Sequence, residues 1–114
     1  MGGCAMSEDL NTTDRQLLDM CQRYAADASG GEMYFYPKDE DDDNHYEAYS
    51  IRYIIDGSGE YLGVMVLLAG GGPTVWLDTF RGEIQGRWGS DSCSYTIYDY
   101  EYIDDYWEEM YKCL

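Results

Sequence analysis

Carboxylates dominate the side chains of this chain that are able to bind or react. The 114 residues include 23 Asp and Glu against seven Lys and Arg, which gives a formal net charge of −16. Carboxylates of this kind bind cations, whether a metal ion or the Lys and Arg side chains of a partner. Nearly half of them lie in two blocks: Asp39, Glu40, Asp41, Asp42 and Asp43, and then Asp99, Glu101, Asp104, Asp105, Glu108 and Glu109.

The first block contains part of a calcium-binding pattern. Asp39, Asp41 and Asp43 alternate like the first ligands of an EF-hand loop, but Asn44 stands where the turn needs Gly. Ser50 stands where a bidentate Glu would close the loop. We expect weak divalent binding at most, and no metal or other cofactor.

Cysteine and histidine offer little further chemistry. Four cysteines, at positions 4, 21, 93 and 113, form no C-x-x-C pair, and His45 is the single histidine, so a zinc site is not expected. Cys21 and Cys113 fall on apolar helix faces, where a reduced thiol packs as a small hydrophobic group, so we expect free thiols. No Ser or Cys has a recognisable activating partner, and the chain is therefore not expected to be an enzyme.

Secondary-structure elements must position the acidic blocks, and the first and the last of these elements are predicted to be helices. Apolar residues recur at helical spacing over residues 13–29, with Thr13 and Gln16 spaced like a capping box and Gly30-Gly31 as the stop. A second helix is predicted over 99–114, with Asp99 as its cap. Its apolar stripe is Ile103, Tyr106, Trp107, Met110, Tyr111 and Leu114.

Between the helices, residues 32–98 carry strand patterns separated by turns. The predicted strands are 32–36, 46–56, 61–69, 74–78, 83–88 and 92–98. This order predicts an α+β domain in which both helices cover one face of an antiparallel meander of about four to six strands. The other face is expected to be rich in Tyr and Trp.

Length and composition indicate one domain over residues 1–114, with residues 1–6 as a mobile leader. The apolar fraction of 45% is too high for a disordered acidic chain. No membrane-spanning run or secretory signal is recognised, so we expect a cytoplasmic protein that works as a monomer or homodimer.

On the second helix, Glu101, Asp104, Asp105 and Glu108 lie beside the apolar stripe and are therefore expected to point to solvent. Six carboxylates over about 16 Å give one charge per about 2.7 Å. Duplex DNA carries one per about 1.7 Å of its axis. Dense charge of one sign opposes compaction, which favours a basic partner, although acidity serving only solubility remains an alternative.

In size, acidity and aromatic content the chain resembles the DNA-mimicking inhibitors of phages and mobile elements, the anti-CRISPR and antirestriction proteins. The resemblance covers composition and includes no motif. It implies a non-enzymatic inhibitor whose carboxylates pair with the Lys and Arg of a DNA-binding protein or CRISPR effector complex.

The residues predicted to bind the partner are the two acidic blocks, with Tyr98, Tyr100 and Tyr102 at the rim together with Tyr95. Direct nucleic-acid binding is not expected, because the charge repels phosphates. The alternative is an acidic protein-interaction module or an antidote to a basic toxin. Steep weakening of binding with salt distinguishes a mimic from an adaptor anchored by aromatic residues.

Overall fold

The computed structural model describes residues 12–37, 40–41 and 45–114 of the chain. Its fold is α+β, with a helix at each end of a five-stranded antiparallel sheet, which confirms the predicted class. The predicted leader, residues 1–6, lies outside the described residues. The elements are α1 (Thr12–Ser29), β1 (Ser50–Ile55), β2 (Tyr61–Ala69), β3 (Thr74–Asp78), β4 (Glu83–Trp88), β5 (Asp91–Thr96) and α2 (Glu101–Lys112).

The sheet is a meander in which each strand pairs with the next. Because side chains alternate along a strand, each cross-strand row faces one side of the sheet. The row Ile51, Val66, Leu77, Ile84 and Tyr95 faces the helices. The adjacent row, Leu67, Trp76, Gln85 and Ser94, faces away from them, on the side that we name the open sheet face.

Both helices contribute to the same core. α1 packs over β4 and β5, whereas α2 packs over β2. Leu17 of α1 and Ile103 of α2 are both buried in one cluster with Val64 and Ile84 of the sheet. The prediction that both helices cover one face is therefore confirmed.

Gly86 allows α1 to pack directly against the backbone of β4. A Cβ at this position would overlap Sγ of Cys21 and lie 3.0 Å from Cδ1 of Leu17. A larger residue would push α1 away from the sheet, so the absence of a side chain at Gly86 sets the depth of this contact.

The end of α1 follows its sequence signal. Gly31 has a φ of +77°, and the backbone N–H of Glu32 donates to the carbonyl of Asp27 at 2.9 Å, as in a Schellman motif. The start differs from the prediction, because α1 already includes Thr12. The Thr13 side chain, on which the predicted capping box depends, lies outside the described residues.

The predicted cap of the second helix is wrong. Asp99 has a φ of +51° and lies in the turn before α2, whose N-cap is Tyr100 without a side-chain cap bond. The left-handed backbone at Asp99 redirects the chain from the end of β5 to the helix. Glu101 is consequently the first residue of α2.

The predicted strand over 32–36 is also wrong, because this segment pairs with none of the strands in the described part of the chain. The backbone N–H of Met33 donates to the hydroxyl of Tyr102 at 3.1 Å, and the ring of Phe35 lies 5.2 Å from that of Trp107. The aromatic pattern thus reflects packing against α2 instead of a sheet ladder. The sheet begins only at Ser50.

Within the described residues, neither helix has the length and apolar character needed to cross a membrane.

Candidate partner-binding surface

The inner side of α2 is fixed in the core. Ile103 and Trp107, one turn apart, are only 1% and 4% exposed. Trp107 packs against Phe35 and Tyr106. Because an α-helix repeats every ~3.6 residues, burial of this stripe directs the opposite side of α2 to solvent.

Three tyrosine hydroxyls fasten α2 to other elements. Near its start, Tyr102 donates to the carbonyl of Ala28 at 2.7 Å. Near its end, Tyr111 donates to the carbonyl of Gly59 at 2.5 Å. In between, Tyr61 of β2 donates to Oδ1 of Asp104 at 2.6 Å. The helix is therefore held along its length.

Glu101, Asp105 and Glu109 are exposed and lie at positions i, i+4 and i+8 of α2, so they form one row on its outer side. We name these three residues the acidic row. Each step along the row advances about 6 Å, and the whole row extends about 12 Å. For Glu101 and Asp105 the predicted orientation toward solvent is confirmed.

Asp104 and Glu108 differ from the prediction, because both are half-buried. Asp104 accepts the hydrogen bond from Tyr61, and Glu108 pairs with Lys112 at 3.3 Å. The physical reason is the position of α2 against β2, which brings Tyr61 to the flank of the helix where Asp104 lies. Two carboxylates of the second block are thus engaged within the molecule.

Burial raises the pKa of three hydrogen-bonded tyrosines, Tyr46, Tyr61 and Tyr102. Burial, followed by the bond to Asp104, raises the pKa of Tyr61 far above its usual range. Burial, followed by a hydrogen bond to Asp27, raises the pKa of Tyr46 in the same way. The pKa of Tyr102 is also raised by burial. The hydrogen bonds from Tyr61 and Tyr102 that position α2 therefore persist through the physiological pH range.

Of the tyrosines predicted at the rim, only Tyr98 is strongly exposed, at 64%. Tyr100 is half-buried above Gly82, and a Cβ added to Gly82 would lie 2.9 Å from the hydroxyl of Tyr100. Tyr102 is bonded internally, and Tyr95 packs against the core. The i, i+4 spacing of Tyr102 and Tyr106 beside the apolar stripe was a sequence signal for this inward placement.

Most of the tyrosines serve packing. Nine of the thirteen lie in aromatic contacts with one another, with Phe35 or with Trp107. The tyrosines in these aromatic contacts are Tyr24, Tyr34, Tyr36, Tyr46, Tyr53, Tyr61, Tyr102, Tyr106 and Tyr111.

Sequence reasoning missed the hydrogen bonds by which Tyr61 and Tyr111 hold α2, because no local pattern links these tyrosines to their distant partners.

The acidic loop block is described only in part. Glu40 and Asp41 are exposed, whereas Asp39, Asp42 and Asp43 lie outside the described residues. Asp99 is exposed beside the first turn of α2. Participation of the loop in binding and the weak calcium alternative both stay predictions.

The open sheet face is not rich in tyrosine, contrary to the prediction. It carries Trp76, with the guanidinium of Arg52 lying 5.0 Å from its ring centroid, and the exposed Arg87. Aromatic side chains bury more apolar area against the helices, which is where most of them lie. A depression of about 570 Å³ on this face is lined by Trp76, Arg81, Glu83, Gln85, Arg87 and small residues.

Two carboxylates on this face, Asp78 and Glu83, accept hydrogen bonds within the molecule. Asp78 is only 2% exposed and accepts hydrogen bonds from the backbone N–H of Arg81 at 2.9 Å and from Gln85 at 3.2 Å. Gln85 also donates to Glu83 at 2.9 Å. The open sheet face thus presents the exposed guanidinium groups of Arg52, Arg81 and Arg87 beside the half-buried Glu83, on the side of the sheet away from α2.

No group of three or more His, Cys, Asp or Glu side chains in the described residues is arranged to hold a metal ion. Comparison of the chain with protein-family models, curated proteins and solved structures finds no match. The candidate surface is accordingly defined by its own geometry, which is a row of exposed carboxylates on a helix fixed from behind.

Proposed function

We propose that this protein is a non-enzymatic, cytoplasmic inhibitor that presents a DNA-like acidic surface to the basic DNA-binding site of a nucleic-acid-targeting defence complex, of the anti-CRISPR or antirestriction kind. The observation that carries the proposal is the acidic row, Glu101, Asp105 and Glu109, on the outer side of a helix anchored in the core. Asp104 and Glu108 contribute charge beside the row.

Charge spacing supports this function. The carboxylates of the acidic row are about 6 Å apart along the axis, compared with about 3.4 Å per phosphate along one DNA strand. With Asp104 and Glu108 included, five carboxylates lie on nine residues of α2. Lys and Arg side chains are long and flexible, and Arg pairs with carboxylate in the bidentate manner that it uses for phosphate. A basic DNA channel is therefore a suitable partner.

Rigidity supports it as well. The buried pair Ile103 and Trp107 and the hydroxyl bonds of Tyr61, Tyr102 and Tyr111 hold α2 before any partner binds. A pre-organised surface loses less conformational entropy on binding than a flexible acidic segment does. The net charge of −16 also attracts a cationic partner at long range.

The first experiment tests inhibition in cells. The protein is expressed in bacterial strains that each carry one DNA-targeting CRISPR or restriction system, and survival of a targeted phage is measured. We expect at least one system to be blocked. If every system restricts the phage as well with the protein as without it, the proposal is wrong.

The second experiment tests mimicry with the blocked complex. We expect the protein and specific duplex DNA to compete for the complex in a gel-shift assay. Raising salt from about 50 to 200 mM should weaken binding of the protein more than tenfold, because many ion pairs are screened. Binding that DNA does not displace would exclude the DNA-binding site as the contact.

Matched charge reversals locate the surface. Asp105→Lys with Glu109→Lys changes the acidic row, and Glu101 is left intact because its carboxylate lies in the first turn, where it stabilises the helix dipole. The control is Asp19→Lys with Glu47→Lys, at two exposed positions outside α2. Both variants change the net charge equally. We expect at least tenfold weaker inhibition for the first and less than threefold for the second; equal losses would assign the effect to overall charge.

A further inference from the structure

Two cysteines that are far apart in sequence meet between α1 and the sheet. Sγ of Cys21, on α1, lies 3.0 Å from Sγ of Cys93, on β5. Cys21 is completely buried, Cys93 is partly exposed, and both are free thiols. A displacement of about 1 Å would bring the sulfurs to the ~2.05 Å of a disulfide.

The neighbouring backbone leaves space for this pair. Gly86 is the register partner of Cys93 on β4, and an added Cβ there would overlap Sγ of Cys21 and lie 3.1 Å from Sγ of Cys93. The sulfurs therefore occupy a notch that exists only because residue 86 has no side chain. Their two elements, α1 and β5, are in direct contact, so approach of the sulfurs requires no rearrangement of the fold.

We propose that Cys21 and Cys93 form a reversible disulfide, with a low-molecular-weight disulfide as the oxidant, and that this bond joins α1 covalently to β5. This site is independent of the acidic row and of the proposed function.

The reaction is a thiol–disulfide exchange in two steps. Cys93, the more accessible thiol, loses its proton to solvent, and its thiolate attacks one sulfur of the oxidant, which releases one thiolate and leaves a mixed disulfide. Cys21 then loses its proton and attacks Sγ of Cys93, which expels the second thiolate. The released thiolates take up the two protons, so two protein thiols are oxidised and one disulfide is reduced to two thiols.

Burial assigns the order of the two steps. Desolvation raises the pKa of Cys21 to about 12, so its thiolate is scarce and it acts as the resolving cysteine. Cys93 meets the oxidant first because Cys21 has no exposed surface. Formation of the internal bond is expected to be slower than formation of the mixed disulfide.

The test uses the full chain with Cys4→Ser and Cys113→Ser, so that Cys21 and Cys93 are the only thiols. The protein is incubated with excess oxidised glutathione or with dithiothreitol, denatured and labelled with a maleimide. We expect oxidation to remove both labelling sites, to lower the mass by two hydrogens and to yield a Cys21–Cys93 cross-linked peptide. The midpoint of thermal unfolding should rise by on the order of 10 °C and return after reduction.

The control adds Cys93→Ser to the same background. It should show no cross-linked peptide and no oxidant-dependent rise in thermal stability. The labelling and mass measurements on the protein that keeps both Cys21 and Cys93 test the proposal even if this variant folds poorly. Retention of both labelling sites, or a stable glutathione adduct on Cys93 without an internal bond, would overturn it. Neither result bears on inhibition, which is measured separately.

Discussion

The outer side of α2 and the open sheet face differ in the charges that they expose, although a single core supports both. α2 presents Glu101, Asp105 and Glu109, whereas the sheet presents Arg52 and Arg87 on the side away from the helices. Helical periodicity and strand alternation each place one set of side chains in the core and the other in solvent. Among the described residues, exposed carboxylates therefore line the outer side of α2, and exposed arginines lie on the opposite side of the molecule.

The two surfaces also differ in how their charges are held. Arg52 lies over the ring of Trp76, within one face of the sheet. The carboxylates beside the acidic row are held by a phenol from another element and by a lysine one turn away. The geometry of the acidic row therefore depends on the core behind it and on the groups at its flank.

The largest expected effect comes from removing the support behind the acidic row. Trp107→Ala should lower the free energy of unfolding by roughly 3 to 5 kcal/mol, as measured by urea unfolding, because it leaves a cavity against Phe35. Trp107→Phe is the control and should cost much less, since Nε1 of Trp107 has no hydrogen-bond partner in the described part of the chain. A small loss for the Ala variant would contradict anchoring of α2 by this residue.

Unfolding at alkaline pH tests how much the hydrogen bond of Tyr61, at the flank of α2, stabilises the fold. Because the pKa of Tyr61 is raised in the folded state, its contribution is complete below the ordinary tyrosine pKa of about 10 and is lost as pH rises toward the folded value. Each such group lowers the free energy of unfolding by at most about 1.4 kcal/mol per pH unit, and solvent screening of this half-buried phenol reduces that slope.

The matched variant for this prediction is Tyr61→Phe. In unfolding measurements between about pH 9 and 11, the variant should lose stability less steeply than the parent protein. Tyr46 and Tyr102, whose pKa values are also raised, remain in both proteins and contribute to the residual slope. Identical slopes would show that the bond from Tyr61 to Asp104 does not stabilise the fold.

The open sheet face provides a smaller effect. Arg52→Ala should cost about 0.5 to 1 kcal/mol in urea unfolding, through loss of the contact with Trp76. Arg52→Lys, which keeps the charge, should recover part of that loss. Inhibition of the target complex should be unchanged in both variants; weaker inhibition would make the sheet a contact surface and remove the contrast with α2.

The smallest effect concerns the ion pair beside the acidic row. Glu108→Gln should cost no more than about 0.5 kcal/mol, because Glu108 and Lys112 form an i, i+4 pair near solvent. The control, Glu109→Gln, changes an exposed carboxylate of the row and should leave stability nearly unchanged. A clearly larger cost for Glu108→Gln would mean that this pair supports the helix rather than merely accompanying it.

Local sequence patterns correctly predicted the strands whose residues follow a clear apolar or alternating pattern. The bounds of β2, β3 and β4 are those predicted, because each strand is apolar or alternating and is bordered by turn residues. The segment 32–36 was assigned wrongly because its aromatic residues suit a strand and a packed loop equally well. The choice between them depends on α2, which lies about 70 residues later in the chain.

The candidate surface was likewise predicted only in part. The helical period of Ile103 and Trp107 was sufficient to predict that Glu101 and Asp105 face solvent. It did not predict that Tyr61 donates a hydrogen bond to Asp104, or that Tyr102 donates one to the carbonyl of Ala28, since these partners come from distant segments.

Charge, the two amphipathic helices and the order of the strands could be predicted from local sequence, because these properties depend on neighbouring residues and on backbone geometry. The exposure of individual carboxylates, the packing of the tyrosines and the position of Cys21 beside Cys93 could not. These outcomes depend on contacts between segments widely separated in the chain, and such contacts exist only once the helices pack on the sheet.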